Sequence, residues 1–215
     1  MPYQSIENTL SLSRLTTFRN AVANKVGQDC TATTLKLYEW NAQLSSVMFF
    51  PLHIYEVVLR NAISEAISKR YGADWPTNTV FQNSLPYKDK SDLVRLTQDN
   101  YQGVGKILPE LKLSWYENML ARRHEGRIWN PYIKHVFPNA TQTEVSDIRN
   151  ALKNGCDIIR KQRNRIAHHE PIFNQPTLTQ LLPLIEEAIS WRCTQTIAWL
   201  KGQEKASEIL KNPVI

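Results

Sequence analysis

The run Arg163-Asn164-Arg165-Ile166-Ala167-His168-His169-Glu170-Pro171 gathers a guanidinium, an amide and two imidazoles at the end of a helical pattern. At about 100° per residue, Arg163 projects in the direction of Val145 and between Leu152 and Cys156. That is the stripe that should face a core. A guanidinium stays charged and is rarely buried unless paired, so this position demands a partner or a wet cleft. Asn164 and His168 are four residues apart and share another face of the same helix end. The reading that follows is that Arg163, Asn164 and His168 border one cleft, with the arginine reaching across by its long arm.

Such a set suits cleavage of RNA by its own 2′-hydroxyl. A base must take the hydroxyl proton, and a cation must stabilise charge on the phosphate. Histidine is the usual proton carrier at neutral pH, and arginine matches two phosphate oxygens with a planar fork of donors. The expected products are a 2′,3′-cyclic phosphate and a 5′-hydroxyl. No metal or cofactor is expected. His124 and His135 are isolated, and adjacent His168 and His169 cannot easily address one ion from a helix. Nucleophile motifs and glycine-rich phosphate loops are absent. The plainer alternative is that Arg and His near a helix end serve only its last carbonyls and dipole. Geometry alone leaves both open.

Two further sets stand out. Glu56 and Arg60 are four apart on an otherwise apolar helix, in the favourable order, with Asn61 next to them. A local salt bridge there is worth only about 0.3–0.5 kcal/mol. The alternative is that Glu56 or Arg60 faces the cleft and Glu56 balances Arg163. The third set, Arg122, Arg123, Arg127, Trp129, Tyr132 and Lys134, interleaves cations with aromatic rings, a pattern that suits RNA. The aromatics read better as core residues, while Arg122, Arg123 and Arg127, together with Arg165, are expected to contact RNA.

Arg163-Asn164 followed after a short spacer by His168 resembles the HEPN signature, in which Arg is followed by His and often carries a polar neighbour. More narrowly, RNRIAHHEPIF at 163–173 is similar to a segment of the Abi-like (abortive infection) family of bacterial proteins. YEVVLRNAISEAISKRYG at 55–72 resembles that family's N-terminal helix, and the two blocks stand in the family's order. Between them only helical character and Trp115 or Trp129 are suggestive. The resemblance implies an all-α, HEPN-type helical bundle with additional helices, one domain over 1–215. It also implies a metal-independent endoribonuclease, used as a toxin or phage-defence effector, and a homodimer whose two motifs meet in a composite cleft. A neutralising antitoxin, protein or RNA, would be a further partner. Arg163 and His168 carry over as catalytic residues, Asn164 as a supporting one, and His169 as an alternative histidine. Some members have a tyrosine shortly after the histidine. Glu170, Pro171 and Ile172 stand there in this chain, so control through such a tyrosine is not expected. A non-catalytic RNA- or nucleotide-binding member, or a helical scaffold using this helix end for dimerisation only, are the rival readings.

The elements that must position these residues are helical. The 215 residues suffice for one sizeable core, 42% are hydrophobic, and only 7 are glycine. The 26 Lys plus Arg against 20 Asp plus Glu give a net charge of +6, which suits a polyanion or serves solubility alone. Cys30, Cys156 and Cys193 form no disulfide framework or metal knuckle, which points to a reducing compartment. No signal peptide is visible, and the apolar run at 47–59 falls short of the roughly 20 residues that cross a bilayer. A cytoplasmic protein without membrane contact is expected.

Along the chain, the periodicity predicts a helix at 5–26 and another at 35–71, kinked or divided by Pro51 and stopped by Gly72. Residues 73–110 read as connecting structure with one helix near Lys90–Tyr101, and 111–138 as a stretch broken by Pro131 and Pro138. The clearest helix runs from Thr143, a candidate cap, to His169, with Pro171 ending it. Its core stripe is Val145, Ile148, Leu152, Cys156, Ile159 and Ile166. A last helix follows Pro176, and the tail after Gly202 is expected to fray.

Overall fold

The computed structural model describes residues 3–98 and 101–215. Helices make up 77% of the chain, and no strand occurs among the described residues. The all-α expectation therefore holds, although several boundaries differ from the sequence reading.

The expected first helix is two: α1 (Tyr3–Leu10) and α2 (Leu12–Val26). The break falls at Ser11, whose φ is 73° and whose hydroxyl accepts the Arg14 N–H. A serine oxygen that satisfies a free N–H starts a new helix, which a periodicity argument cannot see. α3 (Thr31–Tyr71) runs unbroken for 41 residues. Pro51 lies inside it, buried, and does not divide it. Proline removes one main-chain bond, and packing on several sides outweighs that loss: α3 meets α2 and most of the later helices. An 18-residue window of α3 reaches a mean hydropathy of 1.3, so by length and composition the helix could cross a membrane. A third of that window is buried inside the fold.

The middle of the chain is more helical than expected. A 3-10 turn (Trp75–Thr77) leads to α4 (Thr79–Asn83), α5 (Tyr87–Thr97), α6 (Val104–Ile107) and α7 (Leu113–Met119). The end of the helix expected near Lys90–Tyr101 reaches residues 99 and 100, outside the described ones. A 3-10 turn (Arg122–His124) and a π-helical turn (Glu125–Trp129) then enter α8 (Asn130–Val136). Three tryptophans hold this short-element region. Trp75, Trp115 and Trp129 are buried, and their indole N–H groups donate to Ser64 Oγ (3.0 Å), Asp89 O (3.1 Å) and Met119 O (2.7 Å). Each ring buries a large apolar surface while its one polar atom stays satisfied.

α9 (Val145–Ala167) shows the expected stripe, with Ile148, Leu152, Cys156, Ile159 and Ile166 buried. Its ends differ from expectation. Glu144 rather than Thr143 occupies the capping position, and no side chain caps the start. The helix ends at Ala167, ahead of any influence of Pro171. His169 takes a left-handed φ of 56°, its N–H donates to Ile166 O, and Glu170 N–H donates to Arg165 O. This is the Schellman pattern, which usually places glycine at the left-handed position.

The expected last helix is interrupted by extended Cys193, giving α10 (Leu178–Arg192) and α11 (Thr194–Gln203). The tail does not fray: α12 (Ala206–Leu210) packs on α3, with Ala206 buried and Trp40 Nε1 donating to Ile209 O. One large core extends from Leu44 to Ala206, and a satellite of Phe18, Val22 and Leu37 takes in Val214 and Ile215.

A candidate phosphodiester cleft between two helices

Apolar stripes press α3 against α9, and this seam brings together charged residues more than 100 positions apart in sequence. Glu56 occupies the middle, 9% exposed. Its Oε1 accepts from Arg163 Nε at 2.9 Å, and its Oε2 accepts from Arg60 at 2.7 Å. The carboxylate thus balances Arg163, one of the two possibilities the sequence left open, and the local pair with Arg60 forms as well. A buried carboxylate must be paired, and here both oxygens are. Arg60 also lies over the Tyr116 ring, 5.6 Å from its centre.

Arg163 uses only its Nε on Glu56. Its two terminal amino groups have no protein partner among the described residues, and the side chain is 40% exposed. One edge of the guanidinium is fixed and the rest stays free, the arrangement that suits bidentate contact with an oxyanion. Arg160 is held similarly, its Nε donating to Glu117 at 2.5 Å and its terminal nitrogen to Asp157 at 3.0 Å. The bond to Glu117 raises the Arg160 pKa further.

Two hollows flank the Arg60 and Arg163 guanidinium groups. One, of about 400 Å³, is bordered by Arg60, Arg160, Arg163, Asn164, Lys112 and the chain around it, with Glu110 as the acidic member. The other, of about 180 Å³, is bordered by Arg60, Arg163, Glu56, His53, Phe49 and two aliphatic neighbours. Arg60 and Arg163 line both. Sequence reasoning missed Arg160 and His53. The second had a visible signal, because Phe49, His53, Glu56 and Arg60 recur at spacings of four, three and four, one face of a helix.

His168 lines neither hollow. It is exposed at the C-terminal cap of α9, its own N–H donating to Asn164 O. Five residues along a helix turn through about 500°, which leaves Arg163 and His168 roughly 140° apart. Within one chain Arg163 and Asn164 share a cleft, and His168 does not join them as expected. His169 is exposed at the left-handed turn.

Arg165, expected to contact RNA, is committed to the chain instead. Its Nε and one terminal nitrogen donate to Pro171 O, and the other terminal nitrogen pairs with Glu170 at 3.0 Å. Buried Asn41 of α3 then accepts the N–H groups of Ile172 and Phe173 through Oδ1. The turn carrying both histidines is fastened at both ends.

The remaining sites lie elsewhere. Asn61 borders a separate shallow hollow with Ser64, Glu65 and Lys69. Arg123 and Arg127 reach Ser84 O, and Arg127 also meets His124 Nδ1 at 3.0 Å, so these two arginines brace the loop between α4 and α5. His124 is buried, and burial, followed by the charges of Arg127 and Arg123, pushes its pKa down to about 3. Arg122 borders a fourth hollow, of about 640 Å³, with Lys153, Asn150, Asn154 and Arg149. Trp129 is a core residue, and Tyr132 donates to Lys69 O. Cys156 is buried as expected, and burial pushes its thiol pKa up to about 12. No group of three or more His, Cys, Asp or Glu placed to hold a metal ion occurs among the described residues. Compared with protein-family models, curated proteins and solved structures, the chain matches none, so its chemistry is read from the cleft alone.

Proposed function

We propose that the protein is a metal-independent endoribonuclease of the HEPN type, similar to the Abi-like family, acting in the cytoplasm as a toxin or phage-defence effector. The observation that carries this reading is the Arg163 fork. It is anchored at Nε by buried Glu56, free at its terminal nitrogens, and set beside Asn164, Arg60 and Arg160 in a basic cleft. In this reading Arg163 takes the phosphate charge, Asn164 holds a phosphate oxygen, and His168 handles the proton of the 2′-hydroxyl or of the leaving group, with His169 as the alternative. Because His168 lies outside its own chain's cleft, a homodimer would have to place one copy's α9 end against the other copy's Arg163. The three free cysteines are compatible with a reducing compartment, and a neutralising antitoxin would complete the toxin reading.

Pure protein incubated with RNA in the presence of a chelator should yield 2′,3′-cyclic phosphate and 5′-hydroxyl ends, and Arg163→Ala and His168→Ala should abolish them. Ends bearing 5′-phosphate, or strict dependence on magnesium, would overturn the mechanism. The absence of His168 from the Arg163 cleft favours one rival, a non-catalytic RNA- or nucleotide-binding protein. Binding that needs Arg163 but never leads to cleavage would establish that rival.

A further inference from the structure

The smaller hollow supplies what the larger one lacks, an imidazole beside the Arg163 guanidinium. Phe49, His53, Glu56 and Arg60 form one face of α3, and Arg163 closes the hollow from α9. Glu56 holds both guanidinium groups in place. One turn before it, His53 is exposed, and its ring has no hydrogen-bond partner among the described residues. One turn earlier still, Phe49 is 49% exposed and also borders the hollow.

We infer that this hollow is a single-nucleotide subsite: Arg163 and Arg60 hold the phosphate, His53 faces the ribose hydroxyl, and Phe49 stacks on the base. The inference deepens the ribonuclease reading and rests on it for the chemical step. Seven residues separate Phe49 from Glu56, an axial rise of about 10 Å, the scale of one nucleotide from phosphate to base. The charges facing His53 are the Glu56 carboxylate and Arg60 from its own helix and Arg163 from α9. In the chemical step the neutral His53 ring accepts the 2′-hydroxyl proton as O2′ bonds to phosphorus. The bond from phosphorus to O5′ breaks, and O5′ takes its proton from a second acid, His168 of another copy or water. Sequence-independent stacking fits an RNA-cutting site, since every base has a face to offer.

The test uses the full chain and a short RNA with 2′-O-methyl ribose, which keeps O2′ in place but cannot attack phosphorus, so that it cannot be cut. Its binding is followed through the Cε1–H resonances of the five histidine rings, with His53→Gln assigning that ring. The RNA should shift the His53 resonance, and Arg163→Ala should abolish the shift. Phe49→Ser should weaken binding by about five- to tenfold. With cleavable RNA, His53→Gln should lower the rate by about 10²-fold or more while affinity is kept. Binding that depends on Arg163 but leaves the His53 resonance unmoved would overturn the subsite and spare the ribonuclease reading. Full cleavage by His53→Gln would do the same. A Phe49→Ser variant that binds normally but falls to half the mass in sedimentation would assign Phe49 to an interface between copies, removing the stacking role. Neither binding nor cleavage would remove subsite and ribonuclease alike.

Discussion

Two groups of arginines in this chain are similar in number and differ in what anchors them. Around the α3–α9 seam, Arg60, Arg160 and Arg163 are each tied to a carboxylate through part of the guanidinium. Around the turns that precede α8, Arg123, Arg127 and Arg149 reach main-chain carbonyls: Ser84 O for the first two and Leu120 O for the third. Arg149 is only 4% exposed and also bonds Glu125 and Asn150, which engages its Nε and both terminal nitrogens. A carboxylate that takes part of the fork offsets the charge and leaves donors over, whereas at Arg149 a carboxylate, a carbonyl and an amide set around the fork engage Nε and both terminal nitrogens. The first arrangement leaves a cationic surface for an anion, and the second braces a loop.

The comparison breaks if Arg163 proves to be a stability residue. Arg163→Ala should cost about 10²-fold or more in RNA cleavage, the scale of removing one preorganised donor to a developing charge. It should change the unfolding free energy by only about 1–2 kcal/mol, because Arg60 still pairs the Glu56 carboxylate. Arg149→Ala should do the reverse, costing about 3 kcal/mol by leaving the buried Leu120 carbonyl and the part-buried Glu125 carboxylate unpaired while the folded fraction keeps its activity. Denaturant unfolding alongside an RNA assay checks both.

The pH dependence of stability should localise to the second group. His124 has a folded pKa of about 3, below the ordinary value of about 6.5, so the unfolded chain binds the extra proton between these values. Its contribution is full above about pH 6.5 and falls as pH drops toward 3. A His124→Gln variant should show a flatter stability curve over that range, and an unchanged slope would show that His124 is not the group responsible.

Within the first group, Glu56→Ala and Arg163→Ala should be non-additive by about 1 kcal/mol in a double-mutant cycle read by RNA affinity. Additive effects would mean that Glu56 does not position the fork. The smallest effect concerns the turn between α9 and Pro171. His169→Gly should raise stability by about 0.5–1 kcal/mol, since glycine takes the left-handed conformation without strain. If His169 has no chemical role, cleavage should be unaffected.

How much of this was legible in advance depends on how local each cause is. The core stripe of α9 and the burial of Cys156 and Trp129 follow from spacing and apolar character. The break at Ser11 and the early end of α9 were missed because each depends on one residue's positive φ and a few main-chain bonds. Arg165 looked like a free cation because its acceptor, Pro171 O, becomes available only once the chain turns back. At the site, the pairing of Glu56 with Arg60 is a short-range rule of helices, so it could be read directly. The link from Glu56 to Arg163 spans 107 residues and was only one of two possibilities.

The amino-acid sequence by itself determined the all-α class, the periodic core and the residue types able to meet a phosphate, because these depend on side-chain chemistry and helical repeat alone. The tertiary structure decided which of the charged groups share a cleft. It placed Arg163 against Glu56 and beside His53, left His168 outside, and turned Arg123, Arg127 and Arg165 into braces. The physical reason is that a guanidinium's role follows from which of its donors remain free, and acceptors from distant parts of the chain settle that.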